Sequence, residues 1–215
     1  MPLFRRDSDG QSPREHVLLR PDTYVGSVER DRQKVFVMNE SVGRMVEEEV
    51  EFVPALYKIF DEILVNAADN KQRDSSMKLI SIVSDMERGW IRIKNDGKGI
   101  PVEMHSEHNM FVPELIFGNL LTSSNYNDAD LKTVGGRNGF GAKLANIFST
   151  RFIVETVDSE NDKKYVQEWR DNMSSKGDPV IEAPKSRARD YTQITFYPDL
   201  ISSDSEWSRY KMRIR

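Results

Sequence analysis

The residues Asp61-Glu62-Ile63-Leu64-Val65-Asn66-Ala67-Ala68-Asp69-Asn70 carry the most informative pattern in the chain. Together with the residues just before them, they place apolar side chains at the spacing of one face of an α-helix. That spacing predicts a helix that begins near Pro54, whose fixed φ suits a first turn, and that packs on a core. The apolar face consists of Leu56, Ile59, Phe60, Ile63, Leu64 and Ala67.

Three polar residues share the inward half of this helix. At about 100° per residue, Asn66 and Asn70 lie about 40° and 80° from Glu62 and overlap the apolar stripe. Lys58 and Asp61 fall on the solvated side. A single inward amide is an ordinary helix edge, but three polar groups at i, i+4 and i+8 indicate a bound ligand, because buried polar groups need partners.

Composition limits the classes of protein that this chain can belong to. The chain has 215 residues, of which 38% are hydrophobic and 31% charged, so it reads as a soluble globular protein with room for a substantial core. It lacks an apolar run long enough for a membrane span, and residues 1 to 7 lack the core of a signal peptide, so we expect an intracellular protein. The absence of cysteine excludes disulfides, thiolate zinc sites and cysteine nucleophiles. A net charge of −4 gives no general attraction to nucleic acid.

The remaining chain alternates between recognisable segments. Residues 1 to 15 read as a flexible arm and residues 42 to 51 as a solvated acidic turn or strand edge. The long segment from 95 to 134 is typical of a lid or binding loop. Because strands and helices occur in clusters, the pattern favours an α+β sandwich with helices on one sheet face. Strands are predicted at 35–38, 79–83, 90–94, 152–157, 164–169 and 193–197, with further helices at 113–121 and 142–148.

Two glycine-rich motifs add polar backbone to this framework. Asn95-Asp96-Gly97-Lys98-Gly99 directly follows a strand, where the Asn95 side chain can enter a pocket, although the composition is also that of a common turn. The run from Gly135 to Lys143 leads into a helix and suits a phosphate cradle. It fits neither the P-loop nor the Rossmann glycine spacing, so the site belongs to another nucleotide fold.

In this order and spacing, the three motifs resemble the Bergerat ATP site shared by gyrase, Hsp90, histidine kinases and MutL. More specifically, the runs at 18–27, 56–70 and 120–126 resemble eukaryotic-type DNA topoisomerase II, and the resemblance extends from Glu15 to Leu200. It implies a two-layer α+β sandwich with a mixed, mainly antiparallel sheet and helices on one face. It also implies the cofactors ATP and Mg²⁺, a nuclear location and a homodimer without membrane contact. DNA would be bound through the complete enzyme and not strongly through this domain.

The resemblance assigns a role to each matching residue. Glu62 would be the general base that polarises the attacking water, Asn66 would hold Mg²⁺, and Asn70 would have a supporting role. Asn95 would read the adenine edge with a carbonyl that accepts from the amino group, and Thr192 would back the adenine pocket. Ribose and phosphate contacts would come from Ser123, Ser124 and Asn125, and the triphosphate would be wrapped by Gly136, Arg137, Asn138, Gly139, Phe140, Gly141, Ala142 and Lys143.

The resemblance also implies parts that these residues do not supply. Members of this family carry a phosphate-sensing lysine in a Gln-Thr-Lys loop of a following domain, and that tripeptide does not occur here. We therefore expect residues 16–215 to be the ATP-binding domain, without the following transducer, DNA-cleavage and C-terminal domains. One hypothesis is the ATPase part of a type IIA topoisomerase, with low activity when isolated. The alternatives are a nucleotide-binding module without significant hydrolysis, or a more distant chaperone or kinase relative.

Overall fold

A hairpin forms a small sheet of its own. The computed structural model describes residues 12–120, 140–185 and 188–199. Strand β1 (Asp31–Asn39) pairs antiparallel with β2 (Arg44–Phe52). The acidic stretch expected to be a turn or strand edge supplies the turn and most of β2. Glu49 and Glu51 of β2 lie opposite Lys34 and Arg32 of β1, and Arg32 forms a cross-strand ion pair with Glu51.

The main sheet has seven strands. Its strands run in the order β3-β4-β9-β5-β6-β7, and β8 also pairs with β6. All of these pairs are antiparallel. Strand β9, the last in the chain, therefore lies between β4 and β5. The strands are β3 (Ile80–Asp85), β4 (Trp90–Asn95), β5 (Ser149–Asp158), β6 (Lys163–Arg170), β7 (Ser175–Lys176), β8 (Val180–Glu182) and β9 (Tyr191–Pro198).

Five helices occur in the described residues. The first begins inside the segment expected to be an arm, because Ser12 and Glu15 form a capping box that fixes its start. The longest begins at Pro54, as the sequence predicts. The helix expected at 113–121 ends at Gly118. Their bounds are α1 (Pro13–Leu19), α2 (Pro21–Tyr24), α3 (Pro54–Arg73), α4 (Val112–Gly118) and α5 (Gly141–Ile147).

The core lies between the helices and one face of the seven-stranded sheet. Helix α3 packs on β4 and β9, and α5 packs on α3, β5 and β9. Ile59 and Ile63 of α3 meet Ile93 and Phe196 of the sheet in one buried cluster. Burial of each such side chain contributes roughly 1.5–3 kcal/mol. The predicted sandwich with helices on one face is therefore confirmed. No helix in the described part of the chain is both long and apolar enough to cross a membrane.

Candidate nucleotide-binding site

Glu62 lies midway along α3 and its carboxylate is held from two sides. One oxygen, Oε1, forms an ion pair with Lys58 Nζ one turn earlier. The other, Oε2, packs so closely on Gly141 that a Cβ at that glycine would lie 1.7 Å away. The Glu62 side chain keeps 23% of its exposure. Only glycine at the start of α5 leaves room for this partly solvated carboxylate.

Lys58 lies on the solvated side of α3, as the helical pattern predicts, and much of its side chain is exposed. Its ammonium group also contacts Glu62. Residues four apart on a helix are neighbours, so Lys58 lies on the Glu62 side of α3. The hydrogen bond to Glu62 raises the pKa of Lys58, although the side chain is still 43% exposed. A cation is therefore part of the Glu62 environment.

The next two polar residues of α3 continue the predicted inward stripe. Asn66, one turn after Glu62, is partly buried. Asn70 is 8% exposed, and its Nδ2 donates to Asn95 Oδ1 at 2.8 Å and to the Lys98 carbonyl oxygen at 3.0 Å. The polar edge of α3 therefore faces the end of β4 and the loop that follows.

Asn95 is the last residue of β4 and is 4% exposed. Its Oδ1 accepts from Asn70 and also from the Gly97 backbone N–H at 3.2 Å. Two donors thus occupy the carbonyl oxygen that the resemblance assigns to the adenine amino group. Within the described residues, the amide nitrogen of Asn95 is the part of the side chain without a hydrogen bond.

A buried polar row crosses three strands beside Asn95. Thr192 on β9 lies opposite Asn95 on one side and Thr156 of β5 on the other. The two threonine hydroxyls are 3.2 Å apart. Thr156 Oγ1 donates to the Tyr191 carbonyl at 2.9 Å and accepts from the Ile100 N–H at 3.0 Å. Thr156 therefore connects the loop after β4 to the sheet. Its place beside Thr192 follows from the register of the strands and could not be identified from the sequence.

The glycines of this loop are required by close packing. A Cβ at Gly97 would lie 2.7 Å from Asn70 Nδ2. At Gly99 it would lie 1.8 Å from the backbone oxygen of Val157. The first glycine lets the loop approach α3, and the second lets it lie across the end of β5. Close packing on α3 and β5 therefore requires both glycines of the motif.

Asp96 has a different task from its neighbour Asn95. Its Oδ1 accepts from the backbone N–H groups of Leu79 at 2.8 Å and Lys78 at 2.9 Å. These bonds lower the pKa of the exposed Asp96 carboxyl. Asp96 thus anchors the loop to the start of β3, facing away from the buried row.

The N-terminal part of α5 places a cation in the interior. Ala142 and Lys143 are buried at 5% and 7% exposure, while Phe140 before them is 40% exposed. Burial lowers the pKa of Lys143 to about 8. Gly141 contacts Glu62, and Lys143 is two residues further along α5.

Along α3, Glu62 contacts the start of α5 and Asn70 contacts Asn95 of the sheet, with Asn66 between them on the helix and Thr192 opposite Asn95 in the strand register. The other predicted ligand-binding residues lie outside the described ranges. They are Ser123, Ser124, Asn125, Gly136, Arg137, Asn138 and Gly139.

This arrangement of helices and sheet agrees with comparisons to known proteins. Residues 53–200 match the family described as "Histidine kinase-, DNA gyrase B-, and HSP90-like ATPase". The match covers more than half of the chain, and the chain belongs to this family of ATPases. The 43K ATPase domain of Thermus thermophilus gyrase B shares the fold, with a TM-score of 0.61 at 21% identity over 86% of this chain and 39% of that chain.

Within the family, the chain is homologous to the ATPase region of DNA topoisomerase II. It is 59% identical over 186 residues to a probable DNA topoisomerase 2 of Dictyostelium discoideum, covering 86% of this chain and 12% of that protein. Identity to DNA topoisomerase 2 of Saccharomyces cerevisiae is 56%, over 86% of this chain and 13% of the yeast protein. The solved ATPase region of the yeast enzyme superposes with a TM-score of 0.81 at 55% identity, over 88% of this chain and 50% of that one. The chain thus spans about an eighth of the length of these curated relatives.

Proposed function

We propose that this chain is the ATP-binding and ATP-hydrolysing part of a type IIA DNA topoisomerase. In the complete, nuclear, homodimeric enzyme, ATP binding closes a gate between subunits, and hydrolysis supports passage of one DNA duplex through another. Residues 16–215 form the nucleotide-binding domain, and DNA is engaged by the complete enzyme. The similarity to the yeast ATPase region supports this proposal, together with the polar groups that converge between α3, α5 and the sheet.

The contact between Glu62 and Gly141 is the observation that carries the proposed chemistry. A general base must be fixed within reach of its water, and it must keep access to that water. Glu62 meets both conditions, because Lys58 and Gly141 hold the carboxylate while 23% of the side chain stays exposed. It takes a proton from the water that attacks the γ-phosphate. Lys143 adds positive charge beside the phosphates.

The residues of α3 next to Glu62 also fit a magnesium ion. Among the described residues, no group of three or more histidines, cysteines or acids is placed to hold a metal ion. Mg²⁺ prefers hard oxygen ligands and commonly takes phosphate oxygens, waters and few protein groups. The partly exposed Asn66, one turn from Glu62, offers one such oxygen. When bound, Mg²⁺ neutralises charge on the phosphates.

The base and the sugar occupy the opposite end of the site. Asn95 and Thr192 form the buried polar end of the sheet and are assigned to the base, with Asn70 behind them. The assignments of Ser123, Ser124 and Asn125 to ribose and phosphate, and of residues 136 to 143 to the triphosphate, rest on the family resemblance.

Substitution of the proposed base tests the function. We expect Glu62→Ala to retain binding of Mg·ATP while steady-state turnover falls by about 10²–10⁴-fold, the usual contribution of a general base. Binding is measured by calorimetry and turnover by phosphate release. Glu47→Ala, which removes an exposed carboxylate from the hairpin, is the matched control and should leave both unchanged. Undiminished turnover in Glu62→Ala would reject Glu62 as the base.

A further inference from the structure

Asn172, in the turn after β6, connects four parts of the fold. Its Nδ2 donates to the carbonyl oxygen of Ile147, the last residue of α5, at 3.0 Å and to Asp199 Oδ2 at 2.9 Å. Its backbone N–H donates to the Ser149 carbonyl oxygen at the start of β5, at 3.0 Å. Its own carbonyl oxygen accepts from the Arg14 guanidinium of α1 at 3.1 Å. The ends of α5 and β9 and the start of β5 are therefore held beside α1 by one residue.

The turn that carries Asn172 has an uncommon backbone conformation. Asp171, Asn172 and Met173 all have positive φ, of 53°, 57° and 63°. Residues other than glycine rarely adopt such angles, and they persist where the surrounding structure holds them. Here the Met173 side chain is buried in the core, and the Asn172 side chain is bonded on two sides. These contacts fix the direction in which the Asn172 amide points.

The Asn172 amide lies between two groups that can only accept hydrogen bonds. The C-terminal end of a helix carries partial negative charge, so the Asp199 carboxylate is unfavourable beside the Ile147 carbonyl. Asn172 donates one N–H to each of them. The backbone N–H of Asp199 also donates to the carbonyl oxygen of Phe148, the C-cap of α5, at 2.8 Å. Without the amide, the two acceptors would lose their shared donor, so Asn172 keeps Asp199 attached to α5.

The two ends of α5 are held in different ways. Asn172 and Asp199 bond its C-terminal carbonyls. Its N-cap residue, Phe140, makes no side-chain capping bond in the described part of the chain, and the backbone of Gly141 packs on Glu62. The proposed function places the triphosphate at this N-terminal end. A helix of 7 residues is only about 10 Å long and moves as one unit, so a change at one end displaces the acceptors at the other.

We propose that Asn172 is a coupling residue, which makes the attachment of Asp199 depend on the nucleotide site at the far end of α5. Bound nucleotide fixes α5 and favours the bonded state of Asp199, which opens more often when the nucleotide is absent. This inference rests on the proposed function, because it assumes that the nucleotide contacts α5. Coupling between two sites is reciprocal, so attachment of Asp199 also strengthens nucleotide binding by the same factor.

Amide hydrogen exchange at Asp199 measures this coupling, because its N–H exchanges when the bond to Phe148 opens. We expect saturating Mg²⁺ and the non-hydrolysable ATP analogue AMP-PNP to slow this exchange about tenfold in the unsubstituted chain. The N–H of Gly177, which donates to the Glu168 carbonyl oxygen at 2.9 Å at the β7 edge of the sheet, is the reference. Its exchange should slow by less than about twofold, because it has no bond to α5.

Three variants test the role of the Asn172 side chain. Asn172→Gly removes it and tolerates positive φ, so the slowing at Asp199 should fall to within about twofold, and AMP-PNP affinity should fall by no more than the factor lost. Asp171→Gly makes the same kind of change at a neighbouring positive-φ residue with an exposed side chain, and should keep the full effect. Asp199→Ala removes the carboxylate but keeps the N–H that is measured, so the slowing should be lost there too.

The outcomes separate the coupling from the proposed function. Thermal unfolding shows which variants fold, and Asp199→Ala replaces Asn172→Gly as the test if the glycine variant is unfolded. The inference is overturned if AMP-PNP slows exchange at Asp199 no more than at Gly177 in the unsubstituted chain. It is also overturned if a folded Asn172→Gly or Asp199→Ala variant keeps the full slowing. AMP-PNP affinity is measured by calorimetry on the same samples, and absence of binding by the unsubstituted chain would instead overturn the proposed function.

Discussion

Lys143 gives the site a charge that depends on pH near neutrality. Burial lowers its pKa to about 8, because an ammonium group loses hydration in the interior. The folded-state pKa lies below the unfolded value, so the unfolded chain binds the proton more tightly. Burial of the charged form therefore costs stability below about pH 8, and the cost is relieved as pH rises from about 8 towards the unfolded value.

The same residue predicts how ATP affinity varies with pH. If the protonated lysine faces the phosphates, ATP affinity should be nearly constant below about pH 7, about twofold weaker at pH 8 and up to about tenfold weaker at pH 9, as the charge is lost. Phosphate groups with a pKa near 6 do not titrate in this range. Calorimetric titrations at pH 7, 8 and 9 measure the effect.

Two substitutions at residue 143 provide the comparison. Lys143→Arg keeps a charge at all three pH values, and Lys143→Met has none, so both should give a flat profile, with the methionine variant weaker at pH 7. A profile in Lys143→Met as steep as in the unsubstituted chain would place the titrating group elsewhere.

Local periodicity was sufficient to place the polar residues of α3 but not to identify their partners. Glu62, Asn66 and Asn70 are neighbours along one helix, so their shared face follows from 3.6 residues per turn. The bond from Asn70 to Asn95 and the pairing of Thr192 with Thr156 join residues far apart in sequence. Sequence spacing carries no information about such partners. The ion pair between Lys58 and Glu62 joins residues four apart on one helix, so it also follows from local spacing.

At the scale of elements, two glycine contacts make opposite predictions. At Gly141 a Cβ would meet the flexible end of Glu62, whereas at Gly99 it would meet the backbone of β5. We expect Gly141→Ala to cost little stability but to displace the carboxylate and reduce turnover at least about tenfold. Gly99→Ala should instead lower the free energy of unfolding by about 1–3 kcal/mol, because backbone must move.

Chemical denaturation and phosphate release separate these outcomes. Gly177→Ala is the control for the glycine-to-alanine change, since its nearest neighbour, the Glu168 backbone oxygen, lies 3.7 Å from the added Cβ. Unaltered turnover in Gly141→Ala would show that the contact with Glu62 is not needed for hydrolysis.

The elements themselves were predictable where their pattern is strong and local. Helix α3 has a proline start and a long apolar face, and β4, β5, β6 and β9 alternate or run apolar, so their predicted bounds differ from the observed ones by at most three residues. The short strands β7 and β8 were not predicted. They have two and three residues and little apolar content, and only pairing with β6 makes them strands. The strand β2 was expected only as a solvated turn or strand edge, because its many acidic residues hide the pattern of a strand.

At the scale of the whole molecule, the site joins the two layers of the sandwich. Glu62, Asn66 and the start of α5 belong to the helical layer, while Asn95 and Thr192 belong to the sheet. A ligand that touches both layers binds only the folded chain, so its binding energy adds to the free energy of unfolding. Nucleotide binding should therefore be visible as increased stability of the entire domain.

Thermal unfolding with Mg·ATP measures this coupling. At a free concentration 100 times the Kd, binding adds about 2.7 kcal/mol, which raises the Tm of a domain of this size by about 5–10 °C. Removal of Mg²⁺ with EDTA should abolish most of this rise, because the phosphates lose their counter-charge. In Asn66→Ala the rise should be small both with and without Mg²⁺, since the proposed protein ligand of the ion is gone. Val65→Ala truncates an exposed neighbour on α3 and should keep the full magnesium-dependent rise. If Asn66→Ala keeps it as well, the metal is not held by Asn66, and its coordination must come from the nucleotide and from groups other than this amide.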